Sequence, residues 1–149
     1  MSLSAKVMTA MKEAMKAKDQ NALTSLRAVK SAILLAQTES GAKEELSEDQ
    51  ELKLLQKLVK QRKDSAAIFA EQGRDDLAQP EIDQAEVISQ FLPEQLSEDE
   101  VAKIVNEVIT AVGAQGMKDM GKVMGQVNAR IAGKADGKTI ATIVKSKLS

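Results

Sequence analysis

Apolar residues recur at three- and four-residue spacing along nearly the whole chain, and β-branched residues rarely alternate with polar ones. That periodicity predicts an all-α protein. A first helix is expected from about Ser4 to Lys18, with Met8, Met11 and Met15 on one face. A second begins behind a capping Asp19 and buries Leu23, Leu26, Val29 and Ile33. Gly41 opens a short polar loop. The run Ser47-Glu48-Asp49-Gln50 then has the form of a capping box, in which the Ser hydroxyl and the Gln side chain satisfy each other's backbone N–H. The third helix starts there. Its seam is Leu52, Leu55, Val59, Ala66 and Phe69, interrupted by Arg62, for which an acidic partner such as Asp75 or Asp76 of the next helix is expected. Gly73 is placed to end it.

A fourth helix is expected over Asp75 to Gln90, with Leu77, Ile82, Ala85, Ile88 and Phe91 facing inward, and Pro80 either delays its start or kinks it. Pro93-Glu94-Gln95-Leu96 breaks the pattern. Ser97-Glu98-Asp99-Glu100 repeats the capping box, with Leu96 and Val101 positioned as a hydrophobic staple. A boundary therefore falls here, between an N-terminal four-helix region over residues 1–92 and a C-terminal three-helix bundle over residues 97–149. The three later helices are Glu98 to Val112, roughly Lys118 to Ile131, and Gly137 to Leu148 with Asp136 as cap.

Composition narrows the chemistry. The 149 residues include no His and no Cys, so imidazole acid-base catalysis, thiol nucleophiles, zinc sites and disulfides are absent from this polypeptide. Trp and Tyr are also missing and Phe occurs only at Phe69 and Phe91, so nucleic-acid binding here must rest on phosphate contacts rather than aromatic stacking. No apolar run approaches the roughly 20 residues of a membrane span, and the N-terminus lacks the order of a secretory signal, so a cytoplasmic protein with no membrane partner is expected. Charge is uneven. Residues 1–96 carry 13 basic and 16 acidic side chains, whereas residues 113–149 carry 7 basic side chains against only Asp119 and Asp136. That tail suits an anionic partner.

The densest pattern lies in Gly116 to Ile131. Met117, Met120, Val123, Met124, Val127 and Ile131 share one helical face, Lys118, Lys122, Gln126 and Arg130 form an opposing stripe, and Gly121, Gly125 and Asn128 lie on the flank. Two mid-helix glycines cost roughly 1 kcal/mol each in propensity. Close packing of a second helix is the ordinary reason to accept that cost, and direct approach of a phosphate is the alternative. The following Gly133-Lys134-Ala135-Asp136-Gly137-Lys138-Thr139 comes within one residue of a P-loop, but a P-loop needs a preceding strand, and none is expected. What survives is a helix start where Gly133, Lys134, Gly137 and Lys138 suit one phosphate, against the plainer reading of a solvated turn. Lys53, Lys57, Lys60, Arg62 and Lys63 form a second basic stretch, read as a solvated, charge-laced face. Paired carboxylates at Glu44-Glu45, Asp75-Asp76 and Glu98-Asp99-Glu100 fall at helix starts or in loops, so no catalytic residue, metal ligand or cofactor is assigned.

The run from Gly116 to Gly125, then Gly133-Lys134-Ala135-Asp136-Gly137-Lys138, resembles the GatB/YqeY family. So do Lys60-Gln61-Arg62-Lys63-Asp64-Ser65, Phe69, Gly73-Arg74-Asp75-Asp76-Leu77 and Phe91-Leu92-Pro93-Glu94-Gln95-Leu96, which resemble its stand-alone YqeY branch. The resemblance implies two helical domains, the second like the tail of the GatB subunit of glutamine-dependent tRNA amidotransferase, a carbon-nitrogen ligase whose tail contacts tRNA. The chain departs from the family at Phe91, where Tyr is common, at Ala129, near which a Pro is common, and at Pro80. Only the tail matches, without GatB's metal and ATP residues, so autonomous catalysis is not expected. The implied partners are tRNA and amidotransferase or other translation-related proteins. Lys118, Gly121, Lys122, Gly125, Arg130, Gly133, Lys134, Gly137 and Lys138 are the candidate nucleic-acid contacts. The competing expectation is a protein-protein interaction adaptor with no nucleic-acid role, favoured by the acidic N-terminal half. A small ATPase using Lys138 and Thr139 is a third expectation, weighed against by the lack of an expected strand.

Overall fold

The structure, a computed structural model, describes residues 2–39 and 45–149. The loop expected at Gly41 lies outside the described residues. Among the described residues seven α-helices are formed: α1 (Leu3–Ala17), α2 (Gln20–Glu39), α3 (Glu48–Glu71), α4 (Asp75–Ser89), α5 (Glu98–Val112), α6 (Met120–Ile131) and α7 (Gly137–Leu148). A one-turn 3₁₀ helix, Met117–Asp119, leads into α6. The described residues contain no strand, so the protein is all-α, as the periodicity predicts.

Local chemistry sets the helix starts. In both capping boxes the two reciprocal bonds form: the Gln50 N–H donates to Ser47 Oγ at 3.2 Å and the Ser47 N–H to Gln50 Oε1 at 2.8 Å. The Glu100 N–H donates to Ser97 Oγ at 3.2 Å and the Ser97 N–H to Glu100 Oε1 at 3.1 Å. Asp19 caps α2 by accepting from the Ala22 N–H at 3.0 Å. Each bond satisfies a first-turn amide that the helix itself leaves without a partner.

The chain divides into two compact units, Met1–Leu92 and Pro93–Ser149. In the first, Leu3, Val7, Leu23, Leu26, Val29, Ile33, Leu55, Val59, Ala85 and Ile88 build one core. Four expectations need correction. Met8 and Met15 are exposed; the buried stripe of α1 is Leu3, Val7 and Ala14, with Ala10 and Met11 half-buried, because the alanines let the neighbouring helix approach closely. Leu77 and Ile82 are also exposed; Ala85 and Ile88 of α4 face inward as expected, joined by Ala78. The helix begins at Asp75, so Pro80 does not delay its start but stands inside it, where it has no N–H to donate to the Asp76 carbonyl. Arg62 meets neither Asp75 nor Asp76: its Nε donates to Gln84 Oε1 at 3.2 Å and its Nη1 to the Leu58 carbonyl at 3.1 Å. The α3–α4 hairpin turns about Gly73, which sets Arg62 opposite residue 84 and leaves residues 75 and 76 near the turn, where Asp76 takes Arg74 at 2.9 Å.

The second unit is a three-helix bundle around Val101, Val105, Val108, Val123, Val127, Ile131, Ile140 and Val144. The segment before α5 is tied to the α6–α7 connection. The Leu96 N–H donates to the Lys134 carbonyl at 2.8 Å, and Gln95 Nε2 donates to the Gly133 carbonyl at 2.8 Å.

Two stability outcomes are expected. Lys18 ends α1 in the left-handed region at φ 57°, so Lys18→Gly should stabilise the first unit by about 1 kcal/mol in urea unfolding. Gly113→Ala, at φ +67°, should cost the second unit about as much. The Ser97 N–H, and then its hydroxyl, hold the Glu100 carboxyl below its ordinary value. Its contribution is therefore complete above the ordinary value and lost as pH falls through the lowered one. Glu100→Gln, which keeps the acceptor, should flatten that part of the acid dependence in urea melts followed from about pH 6 to pH 3.

Candidate nucleic-acid interface

The orientation of α6 is fixed by its buried stripe. Val123, Val127 and Ile131 are buried among α5 and α7, with Met120 and Met124 half-buried beside them. Met117, expected on that face, belongs to the preceding 3₁₀ turn and is 43% exposed. At about 100° per residue, the side opposite the stripe is Gly121, Gly125 and Ala129. All three are exposed, as are Lys122, Gln126 and Arg130 on one border and Asn128 on the other.

Gly121 stands in the first turn of α6 and Gly125 inside it, and close helix packing, the ordinary reason for glycines in a helix, does not account for them. A Cβ built on Gly121 or Gly125 would meet nothing within 4 Å. The outer face of α6 is thus a low strip of backbone, bordered at its N-terminal end by exposed Lys118 and Lys122. Among the described residues neither lysine has an ion-pair partner.

The remaining candidates fall elsewhere. Arg130 Nη1 pairs with Glu107 Oε2 of α5 at 3.3 Å, which partly neutralises its charge within the fold. Gly133 is buried at φ +76° with its carbonyl bound by Gln95, so it shapes the connection from inside. Lys134 and Lys138 are exposed beyond the C-terminal end of α6, which is about 18 Å long. Gly137 is the first residue of α7, with open space where a Cβ would stand. The start of α7 carries its own carboxylate: Asp136 accepts from the Thr139 N–H at 2.7 Å and from its hydroxyl at 2.9 Å. A helix, not a strand, precedes this P-loop-like run. Among the described residues no group of acidic side chains is arranged to hold a metal ion.

Three contributors escape a reading of the sequence by type alone. Ala129 completes the small-residue strip and is legible as the next four-residue step after Gly121 and Gly125. Glu107 and Gln95 act from outside the α6–α7 segment, and no local spacing announces them.

Comparison with known proteins fixes the class. The family model described as Yqey-like protein matches residues 4–148, and the chain belongs to that family. It is 32% identical over 126 residues, 82% of this chain and 72% of the relative, to Altered inheritance of mitochondria protein 41, mitochondrial, of Clavispora lusitaniae. It is also 44% identical over 57 residues to the E-type subunit of Glutamyl-tRNA(Gln) amidotransferase from Thermococcus gammatolerans, 36% of this chain but only 9% of that much longer relative. The corresponding protein of Thermococcus sibiricus matches to the same extent. The chain therefore corresponds to a small part of the amidotransferase subunits it resembles. Among the described residues, no helix is long and apolar enough to cross a membrane.

Proposed function

We propose that this protein is a tRNA-binding module associated with tRNA amidation, and that the outer face of α6 receives the RNA backbone. The observation that carries this reading is the open strip at Gly121 and Gly125. Gly125, inside the helix, costs it about 1 kcal/mol relative to alanine and Gly121, in the first turn, costs less, and among the described residues nothing uses the space they leave. A ligand whose backbone must come close to the helix does use it. Lys118 and Lys122 supply charge at one end of the strip, and Lys134 and Lys138 supply it beyond the other. With no Trp or Tyr to stack on bases, recognition is led by shape and phosphate contacts. The likeness to a small part of an amidotransferase subunit supports tRNA as the RNA, and such a role belongs in the cytoplasm. Carbon-nitrogen ligation itself then falls to a partner that brings the reacting groups.

Purified protein titrated with deacylated tRNA should bind with a log-log salt slope of roughly −2 to −4, the value for about three to five neutralised phosphates. Binding to a duplex RNA of equal charge should be weaker. Lys122→Glu with Lys134→Glu should reduce tRNA affinity at least tenfold, and unchanged affinity would remove the assignment. Gly121→Ala with Gly125→Ala separates binding from folding. It should raise the stability of the C-terminal unit by about 1 kcal/mol in urea unfolding, most of it from Gly125, since no neighbour is struck, while weakening tRNA binding. A variant that is more stable and binds equally well would mean that the strip is not the contact.

A further inference from the structure

We propose that the cleft between α2 and α3 docks an amphipathic helix from a partner protein, one that carries carboxylates a turn apart along one flank. Both helices pack on α4 but meet each other only sparingly, which leaves a cavity of about 480 Å³ between them. Its walls are apolar: Ala32, Leu35 and Ala36 from α2, Leu54 and Leu58 from α3, and Leu46 at one end. Leu35 is 60% exposed although it lines this cavity, and its neighbour Leu34 is 55% exposed. Large aliphatic side chains left this open, beside a cleft of their own kind, mark a surface that loses water when something apolar enters.

Dimensions and charge define the occupant. The α3 wall runs from Gln50 to Gln61, about 16 Å of helix, which matches three turns of a docked helix with anchors at i, i+3 or i+4, and i+7. Lys53 and Lys57 lie one turn apart on the rim, both exposed and without an ion-pair partner among the described residues. Lys60, one step further, is by contrast held by Asp64 at 2.7 Å. The polar Gln50 is already engaged in capping α3, and Glu39 is the one carboxylate lining the cleft among the described residues. An acidic pair at i, i+4 on the incoming helix would meet the two free ammonium groups while its apolar face fills the floor. The cleft belongs to the first unit, so this proposal stands apart from the RNA-binding face of the second.

The test is a selection on the full-length protein from a phage-displayed library of three-turn helical peptides, followed by anisotropy titration of the enriched peptides. Enriched sequences should carry apolar residues at helical spacing with a net negative flank. Their affinity should fall about tenfold or more on the Lys53→Glu, Lys57→Glu double variant, and peptides with the acids replaced by lysine should prefer that variant. Both lysines are exposed, so an unchanged circular dichroism melt will separate lost docking from lost folding. Leu35→Asp should weaken binding on a third, independent ground. Failure to enrich any sequence, enrichment without an acidic flank, or equal affinity for wild type and double variant would overturn the proposal. So would concentration-dependent dimerisation in sedimentation that Leu35→Asp abolishes, because the groove would then belong to a second copy of the chain.

Discussion

The orientation of α6 depends on three side chains. Val123, Val127 and Ile131 are held in the core by Val101, Val105 and Val108 on one helix and by Ile140 and Val144 on another. A helix with one buried stripe has no choice about what it shows to solvent, so the core decides that Gly121, Gly125 and Ala129 form the outer strip. Stiff β-branched residues suit this task because each leaves few rotamers to be frozen on burial. The Leu96 to Lys134 backbone bond and the Gln95 amide on the Gly133 carbonyl add a second restraint. They fix where the α6–α7 connection, with its two exposed lysines, can lie.

The same logic explains why the two units differ in character. In the first, hairpins built on alanine and leucine approach closely in some places and diverge in others, and the divergence of α2 from α3 leaves an apolar cleft with two unpaired lysines on its rim. In the second, a small valine-rich core holds three helices together, and basic side chains gather on α6 and the α6–α7 connection. In the reading proposed above, one unit presents a groove to a protein and the other a strip to RNA. The chain belongs to the Yqey-like family, and a short stretch of it matches part of a Glutamyl-tRNA(Gln) amidotransferase subunit from Thermococcus gammatolerans.

The helix starts are the most legible features of the sequence, because a cap is settled among four consecutive residues. Ser47 with Gln50, Ser97 with Glu100, Asp19 and Asp136 all act as their spacing implies. Spacing does not settle which of two apolar faces a helix buries. Met8 and Met15 form as good a stripe as Val7 and Ala14, and only the approach of another helix favours the smaller residues. Leu77 gives way to Ala78 for the same reason. Arg62, a cation on an apolar seam, calls for an acid by residue type, yet its partner is set by the hairpin register, which brings the Gln84 amide opposite. The candidate site is partly legible: the lysines and glycines of α6 share a face by periodicity, but the emptiness above Gly121 and Gly125 is a tertiary fact. So are the pairing of Arg130 with Glu107 and the burial of Gly133.

Amide chemical shifts test, residue by residue, whether RNA meets the outer face of α6. In a titration of isotope-labelled full-length protein with deacylated tRNA at moderate salt, the amides of Gly121, Lys122, Gly125 and Ala129 should move most, with the Lys134 to Lys138 connection following and α5 little affected. Shifts confined to other elements, or none at concentrations where tRNA is bound, would contradict the account.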